Sequence, residues 1–296
     1  MSVLTTVARS ARPNFLLLVP VCIFPALAAA HAAGHTPAPL TAAMIVLAGL
    51  LAHAAVNLLN EWHDYRSGLD LATERTPFSG GSGALPAYPA ATSAVLGAGL
   101  TALSISALIG LGLVIQVGPG LLVPGLAGIA LVVLYTAWIT RRPLLCLLAP
   151  GLGFGPVMVA GSYFAVTGEY SATILWASLT PLCLVSGLLL INQFPDIDAD
   201  RDHGRLHFPI ILGPHQAARL FAVVLALAYV LPVIGVVIGL LPTMTLLALI
   251  PAPLAAQVGR KAMAHANETA SLTPWLGLNV ATLMVTIVLL GVGLLF

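Results

Sequence analysis

The stretch "NLLNEWHDYRSGLD", residues 57–70, decides the fold. It leaves a long run of Leu, Ala and Val and gathers two Asn, one Glu and two Asp in a few turns of chain. His53, Asn57, Asn60 and Asp64 recur at intervals of 4, 3 and 4, which places them on one face of a helix. Such polarity is scarce elsewhere. Of 296 residues, 59% are hydrophobic and 7% are charged, with a mean hydropathy of +1.03, whereas soluble domains are about 25% charged. By composition the chain is a membrane protein, and the run before Asn57 is one of its spans.

Apolar runs of the roughly 20 residues needed to cross a bilayer lie at about 14–33, 40–60, 91–111, 120–140, 144–166, 172–193, 217–240, 242–259 and 274–296. The pattern predicts an all-α polytopic bundle of nine transmembrane helices in a single domain over residues 1–296. Prolines within these runs (Pro20, Pro25, Pro124, Pro156, Pro181, Pro232) are tolerable kinks in a bundle. The 11 basic residues test the count independently. Arg9 and Arg12 precede the first run, Arg66 and Arg75 follow the second, and Arg141 and Arg142 the fourth. Arg201, Arg205 and Arg219 follow the sixth, and Arg260 and Lys261 the eighth. Nine spans put all of them on one side, leaving Glu169 opposite, so the N-terminus is expected in the cytoplasm and Phe296 outside. The first run, "ARPNFLLLVPVCIFPALAAAHAAG", also has the make-up of a cleavable signal peptide; the retained span is the reading adopted.

Of the 10 acidic residues, Glu61, Asp64, Asp70 and Glu74 form one cluster and Asp196, Asp198, Asp200 and Asp202 another; only Glu169 and Glu268 stand apart. In "NQFPDIDADRDHGR", Asn192, Asp196 and Asp200 are spaced 4 and 4, a second helical stripe ending on the same side as the first. One acidic run at a helix end is usually a solvated face. Two of them, holding most of the chain's carboxylates at the membrane surface, require a cation, because like charges held together there repel and are costly to desolvate. Carboxylate and Asn oxygens suit Mg²⁺, which uses one or two carboxylates plus substrate phosphates. Asn60, Glu61, Asp64, Asn192, Asp196 and Asp200 are therefore the candidate metal ligands. Two such groups face to face can share a diphosphate, with Asn60, Asn192, Arg66, Arg75, Arg201 and Arg205 as candidates for its oxygens. The flexible "RTPFSGGSG", 75–83, offers backbone amides to the same anion, or is only a linker. His53 is either a core histidine or a pocket residue. Cys22, Cys146 and Cys183 lie far apart in apolar runs as small hydrophobes. The net charge of +1 gives no sign of a nucleic-acid partner, and Asn267-Glu268-Thr269 is a chance glycosylation match on the cytoplasmic side.

These residues resemble the UbiA-type intramembrane prenyltransferases. The family's first motif, NDxxDxxxD, is matched by Asn60, Glu61 and Asp64, with the last acid at Asp70 and Gly68 where ubiquinone-pathway members carry Asp. That offset is similar to the dihydroxynaphthoate, menaquinone-pathway branch, as is the "NQFPD" form of the second motif, DxxxD, matched by Asp196 and Asp200. The resemblance implies Mg²⁺-dependent transfer of a polyprenyl group from its diphosphate to an aromatic, quinone-precursor-like acceptor. It implies catalytic roles for Asp64, Asp70, Asp196 and Asp200, one of the first two also being available to take the acceptor's proton. The setting would be the bacterial or archaeal cytoplasmic membrane, with the site facing the cytoplasm. Tyr65, Tyr135, Trp62 and Trp138 are candidates to line the cavity or to sit in the interfacial belt. The chain departs from the family in three places. Glu61 stands where most members have Asp, "GRLHFPIILG" stands where relatives read something like "GKRTLAVRLG", and "LLCL" at 144–147 replaces the Gly-Leu-Gly-acid of the menaquinone branch. The diphosphate end matches the family and the acceptor end does not. The rival reading is a cation- or proton-coupled transporter, which would be expected to carry its carboxylates near the midplane. A CDP-alcohol phosphotransferase would need Asp-Gly and Ala-Arg elements that are absent around Asp196.

Overall fold

The computed structural model describes residues 1–296 and is helical without a β-strand. In chain order the frame consists of α1 (Val3–Ala32), α2 (Pro39–Ser67), α3 (Pro89–Val117), α4 (Pro119–Leu134), α5 (Pro143–Thr167), α6 (Ala172–Asn192), α7 (Pro214–Val237), α8 (Ala252–Ala264) and α9 (Thr269–Gly293). Seven of these, all but α4 and α8, are long and apolar enough to cross a membrane. Proline at the first helical turn starts α2, α5 and α7, where a missing N–H costs nothing.

The apolar runs bend where the sequence removes backbone donors. In α5, Pro150 precedes and Pro156 lies within a π-helical stretch, Gly153–Ala160, which absorbs the missing hydrogen bonds. Pro251 separates the 3₁₀ stretch Thr243–Leu249 from α8. In α1, Arg12 takes a left-handed conformation (φ 51°) between Val3–Ser10 and Pro13–Leu16, so the chain turns sharply before entering the bundle.

Helix α6 is the most enclosed of the seven. It packs against α5, α7 and α9 and supplies Leu184, Val185, Leu190 and Ile191 to the largest apolar core. Because lipid is as apolar as Leu, close approach of the helices has to come from small residues. A Cβ at Gly151 would overlap Leu182 O and Ser186 Oγ, and one at Gly155 would fall 2.5 Å from Ser178 O. That close contact fixes the end of α6 from which Asn192 and the acidic tail emerge. Helix α2 packs along α3, and its last turns run beside the same tail.

Gly151→Leu is expected to wedge α5 from α6, at a cost of about 1–3 kcal/mol or more for overpacking. Thermal unfolding in detergent should shift down by several degrees, and an unshifted transition would mean that the helices do not meet there.

Candidate functional site

Two glycine turns deliver the acidic residues to a common place. Gly68 ends α2 in the left-handed region (φ 88°), which L side chains enter at a cost. The chain then re-enters through Leu69–Ala72 with Asp70 buried. After α6, the short helix Ile197–Asp202 runs into Gly204 (φ 74°), and the Arg205 N–H returns to Asp200 O at 2.9 Å. This folds the Arg205 side chain back over the carboxylates. Its guanidinium forms ion pairs with Asp64 and, at 3.1 Å, with Asp200. The His207 Nε2–H donates to the other Asp200 oxygen at 3.0 Å.

Around this clamp lies a cavity of about 220 Å³ lined by Asn60, Asp64, Asp70, Asn192, Asp196, Asp200 and Arg205. Asn60 donates to Asp64 at 2.9 Å and to Thr136 at 3.2 Å. The loop after Asp70 closes one wall. Thr76 Oγ1 accepts from the N–H groups of Phe78 and Ser79, and Gly80 and Gly81 both adopt positive φ. A Cβ at Gly81 would sit 2.6 Å from Asp70 Oδ1, so that glycine is what lets the loop lie on the carboxylate.

Four residues expected at the site lie elsewhere. Both Glu61 oxygens are taken, Oε2 by Arg12 at 3.2 Å and Oε1 by the Ser82 N–H and hydroxyl at 2.8 and 2.6 Å, and the residue is not part of the cavity wall. Arg66 is exposed and stacks over Trp62. Arg75 is exposed and reaches only the backbone oxygen of Asp70, at 3.5 Å. Arg201 pairs with exposed Asp198. Of the four aromatic candidates only Tyr135 faces the cavity; Trp62 and Tyr65 pack against a small core under Leu85, and Trp138 is exposed beneath Arg142. In turn, Arg12, His207, Gln193 and Cys146 line the cavity although the sequence assigned them no chemistry. The signal for His207 lay in its place two residues after Arg205. Arg12 carried none beyond its position ahead of the first apolar run.

The site holds polar atoms that the protein does not satisfy. Asp70 Oδ2, Asn192 Oδ1, Asp196 Oδ1, His207 Nδ1 and His53 Nδ1 are buried without a hydrogen-bond partner, and all five residues line this cavity. Buried orphans are rare unless something else binds them. Three of them are hard oxygens from both acidic stretches, a donor set that fits Mg²⁺. No three His, Cys, Asp or Glu side chains converge to cage an ion unaided. Burial, with Glu61 and Asp64 nearby, pushes the Asp70 carboxyl up to about 7. Burial and Asp200 push Asp196 up to about 7, against the opposing pull of Arg205, the Ser79 hydroxyl and the Gly80 N–H.

Residues 18–283 match the UbiA prenyltransferase family. The 1,4-dihydroxy-2-naphthoate octaprenyltransferase of Bacillus subtilis is 30% identical over 190 residues, covering 62% of this chain and 58% of that one. The match thus spans well under two thirds of that relative's length. Among solved structures, a digeranylgeranylglyceryl phosphate synthase superposes with a TM-score of 0.68 at 14% identity, covering 100% of this chain and 99% of that one. A UbiA homologue of Archaeoglobus fulgidus bound to GPP and Mg²⁺ gives 0.62 at 14%, covering 96% and 99%. At these identities the structures establish the fold.

The raised carboxyls make stability depend on pH. A carboxylate whose folded value (about 7 for both groups) exceeds its usual 3.8 opposes folding fully above pH 7, and the opposition fades as pH falls through that value. Each group contributes at most about 1.4 kcal/mol per pH unit. Without divalent cation, Tm should therefore rise between pH 8 and pH 6, and millimolar Mg²⁺ should flatten or reverse the trend. A Tm that falls towards pH 6 in EDTA would contradict the burial of Asp70 and Asp196.

Proposed function

The chain belongs to the UbiA prenyltransferase family, and we propose that it transfers a polyprenyl group from an allylic diphosphate to an aromatic acceptor, with Mg²⁺, at the cytoplasmic face of the membrane. The observation that carries this reading is the set of orphaned oxygens on Asp70, Asn192 and Asp196 in one cavity. Support comes from relatives that are named for prenyl transfer and from the A. fulgidus homologue bound to GPP and Mg²⁺.

The topology follows the basic residues. Nine crossings fit the contacts of the two segments that fall short as single helices. Thr245 packs against Gly293 at one end of α9, and Lys261 lies over Trp275 near the other, so residues 243–264 run the length of α9. Likewise α4 begins beside Phe164 at Gly120, and the chain just past its end meets Asn60 at Thr136. The whole chain is then one integral-membrane domain with its N-terminus and site on the Arg-rich, cytoplasmic side.

In this site the unpaired oxygens of Asp70, Asn192 and Asp196 would hold Mg²⁺, with Asn60, Asp64 and Asp200 beside them, and the ion would supply the positive charge that the departing diphosphate requires. Arg205 holds the two acidic stretches together and, with Arg12, presents N–H donors to phosphate oxygens. The C–O bond of the allylic diphosphate breaks with its electron pair on oxygen, and a ring carbon of the acceptor forms the new C–C bond and passes its proton to the Asp70 carboxylate, whose Oδ2 has no hydrogen-bond partner in the cavity. Phe154, Leu188 and Leu189 along the inner wall keep water from the allylic cation until then.

Asp64→Ala or Asp196→Ala should lower turnover of a radiolabelled polyprenyl diphosphate with quinone precursors by at least about 10³-fold. Both variants should still insert in the membrane and elute as wild type does. EDTA should have the same effect on the wild type. Wild-type-like turnover in either variant would refute the site.

A further inference from the structure

Past the carboxylates the cavity changes character. His53 lies about 16 Å from Asp64 along α2, by the rise of a helix over eleven residues. Phe154 of α5 lies against it, and Pro150 of α5 and Leu189 of α6 line the same cavity. Asn57, one turn along α2, is already committed, donating to Ala11 O at 3.0 Å. His53 differs. Its ring meets Phe154 edge to face, 4.9 Å between centroids, and its buried Nδ1 has no partner. A hydrogen-bonding nitrogen left over in an otherwise apolar wall is a recognition group.

The charge on this cavity is also one-sided. Four carboxylates line it against two guanidiniums, Arg12 and Arg205, and both guanidiniums are already bound to carboxylates. No lysine or further arginine lines it. A carboxylate carried in on the acceptor would be desolvated there with no unpaired cation to meet it, since Arg12 and Arg205 are held by Glu61, Asp64 and Asp200.

Resting on the prenyltransferase reading above, we propose that this inner end is the acceptor subsite and that it takes an uncharged flat ring bearing a hydroxyl or carbonyl oxygen, hydrogen-bonded by His53. The ring lies against Phe154 and Pro150, and the span from Asp64 to His53 is filled by diphosphate, transferred carbon and ring in line. The acceptor therefore differs in charge from the naphthoate for which the B. subtilis relative is named.

The test uses the full chain in nanodiscs. Binding of 1,4-naphthalenediol and of 1,4-dihydroxy-2-naphthoate, and their prenylation, are measured for the wild type, His53→Phe and His53→Gln. Mg²⁺-dependent binding of geranyl diphosphate is measured alongside. The uncharged diol should bind at least about 10-fold more tightly than the naphthoate. His53→Phe should raise the KM for the diol about 10-fold, as expected for one lost hydrogen bond, with binding of geranyl diphosphate unchanged, and His53→Gln should recover part of the loss. Equal or tighter binding of the naphthoate, an unmoved KM in His53→Phe, or binding of neither ring while geranyl diphosphate still binds would overturn the acceptor assignment alone. Failure to bind geranyl diphosphate would instead strike the prenyltransferase reading itself.

Discussion

The arrangement depends on one requirement, that carboxylates drawn under the membrane face be neutralised. Arg205 meets it by pairing with Asp64 at the end of α2 and with Asp200 beyond α6. Breaking a buried pair from one side leaves a stranded charge and costs about 3–5 kcal/mol. The clamp thus makes the two acidic stretches interdependent across 141 residues of sequence. The local chemistry around it follows. Gly204 is needed because the chain must reverse for Arg205 to lie over Asp200, and Gly68 because α2 must stop for Asp70 to turn inward.

Helical period explains what was legible in the sequence and what was not. Asn60 and Asp64 are four residues apart in one regular helix, so the shared face could be read directly, and both line the cavity. Proximity along the chain misled where the period was ignored. Arg66 lies two residues past Asp64, about 200° around the helix, and so points to solvent. Arg201 follows Asp200 by one residue and lands on the exposed side of its short helix. Arg205, farther away in sequence, returns because a left-handed glycine precedes it. Arg12 comes from a different helix altogether, and no local pattern marks a contact across 49 residues.

The spans show the same division. Hydropathy averaged over a window finds α2, α3 and α5 to α7 because each is continuous or bends without interruption. It also admits the run at 242–259, where Pro251 and a 3₁₀ stretch break the helix. A running mean records how apolar a segment is and not whether each amide N–H has an acceptor four residues back. Prolines and glycines must be read one at a time for that.

Glu61 links the fold to the site. Read as a longer-armed version of the family's Asp, it looked like a metal ligand with altered reach. In the folded chain the extra methylene has another use: one carboxylate spans from α2 to Arg12 of α1 and to the amide and hydroxyl of Ser82. Those two partners belong to the segments that flank the cavity opening, the left-handed turn of α1 and the glycine loop lying on Asp70. The carboxylate also offsets the charge of Arg12, which would otherwise face the cavity uncompensated. A fully buried acid with both oxygens satisfied is a poor candidate for exchanging ligands and a good one for a fixed tie. The departure from the motif at this position therefore relocates one carboxylate from the inside of the site to its frame. Asp64, Asp70, Asp196 and Asp200 remain as the acids that face the cavity.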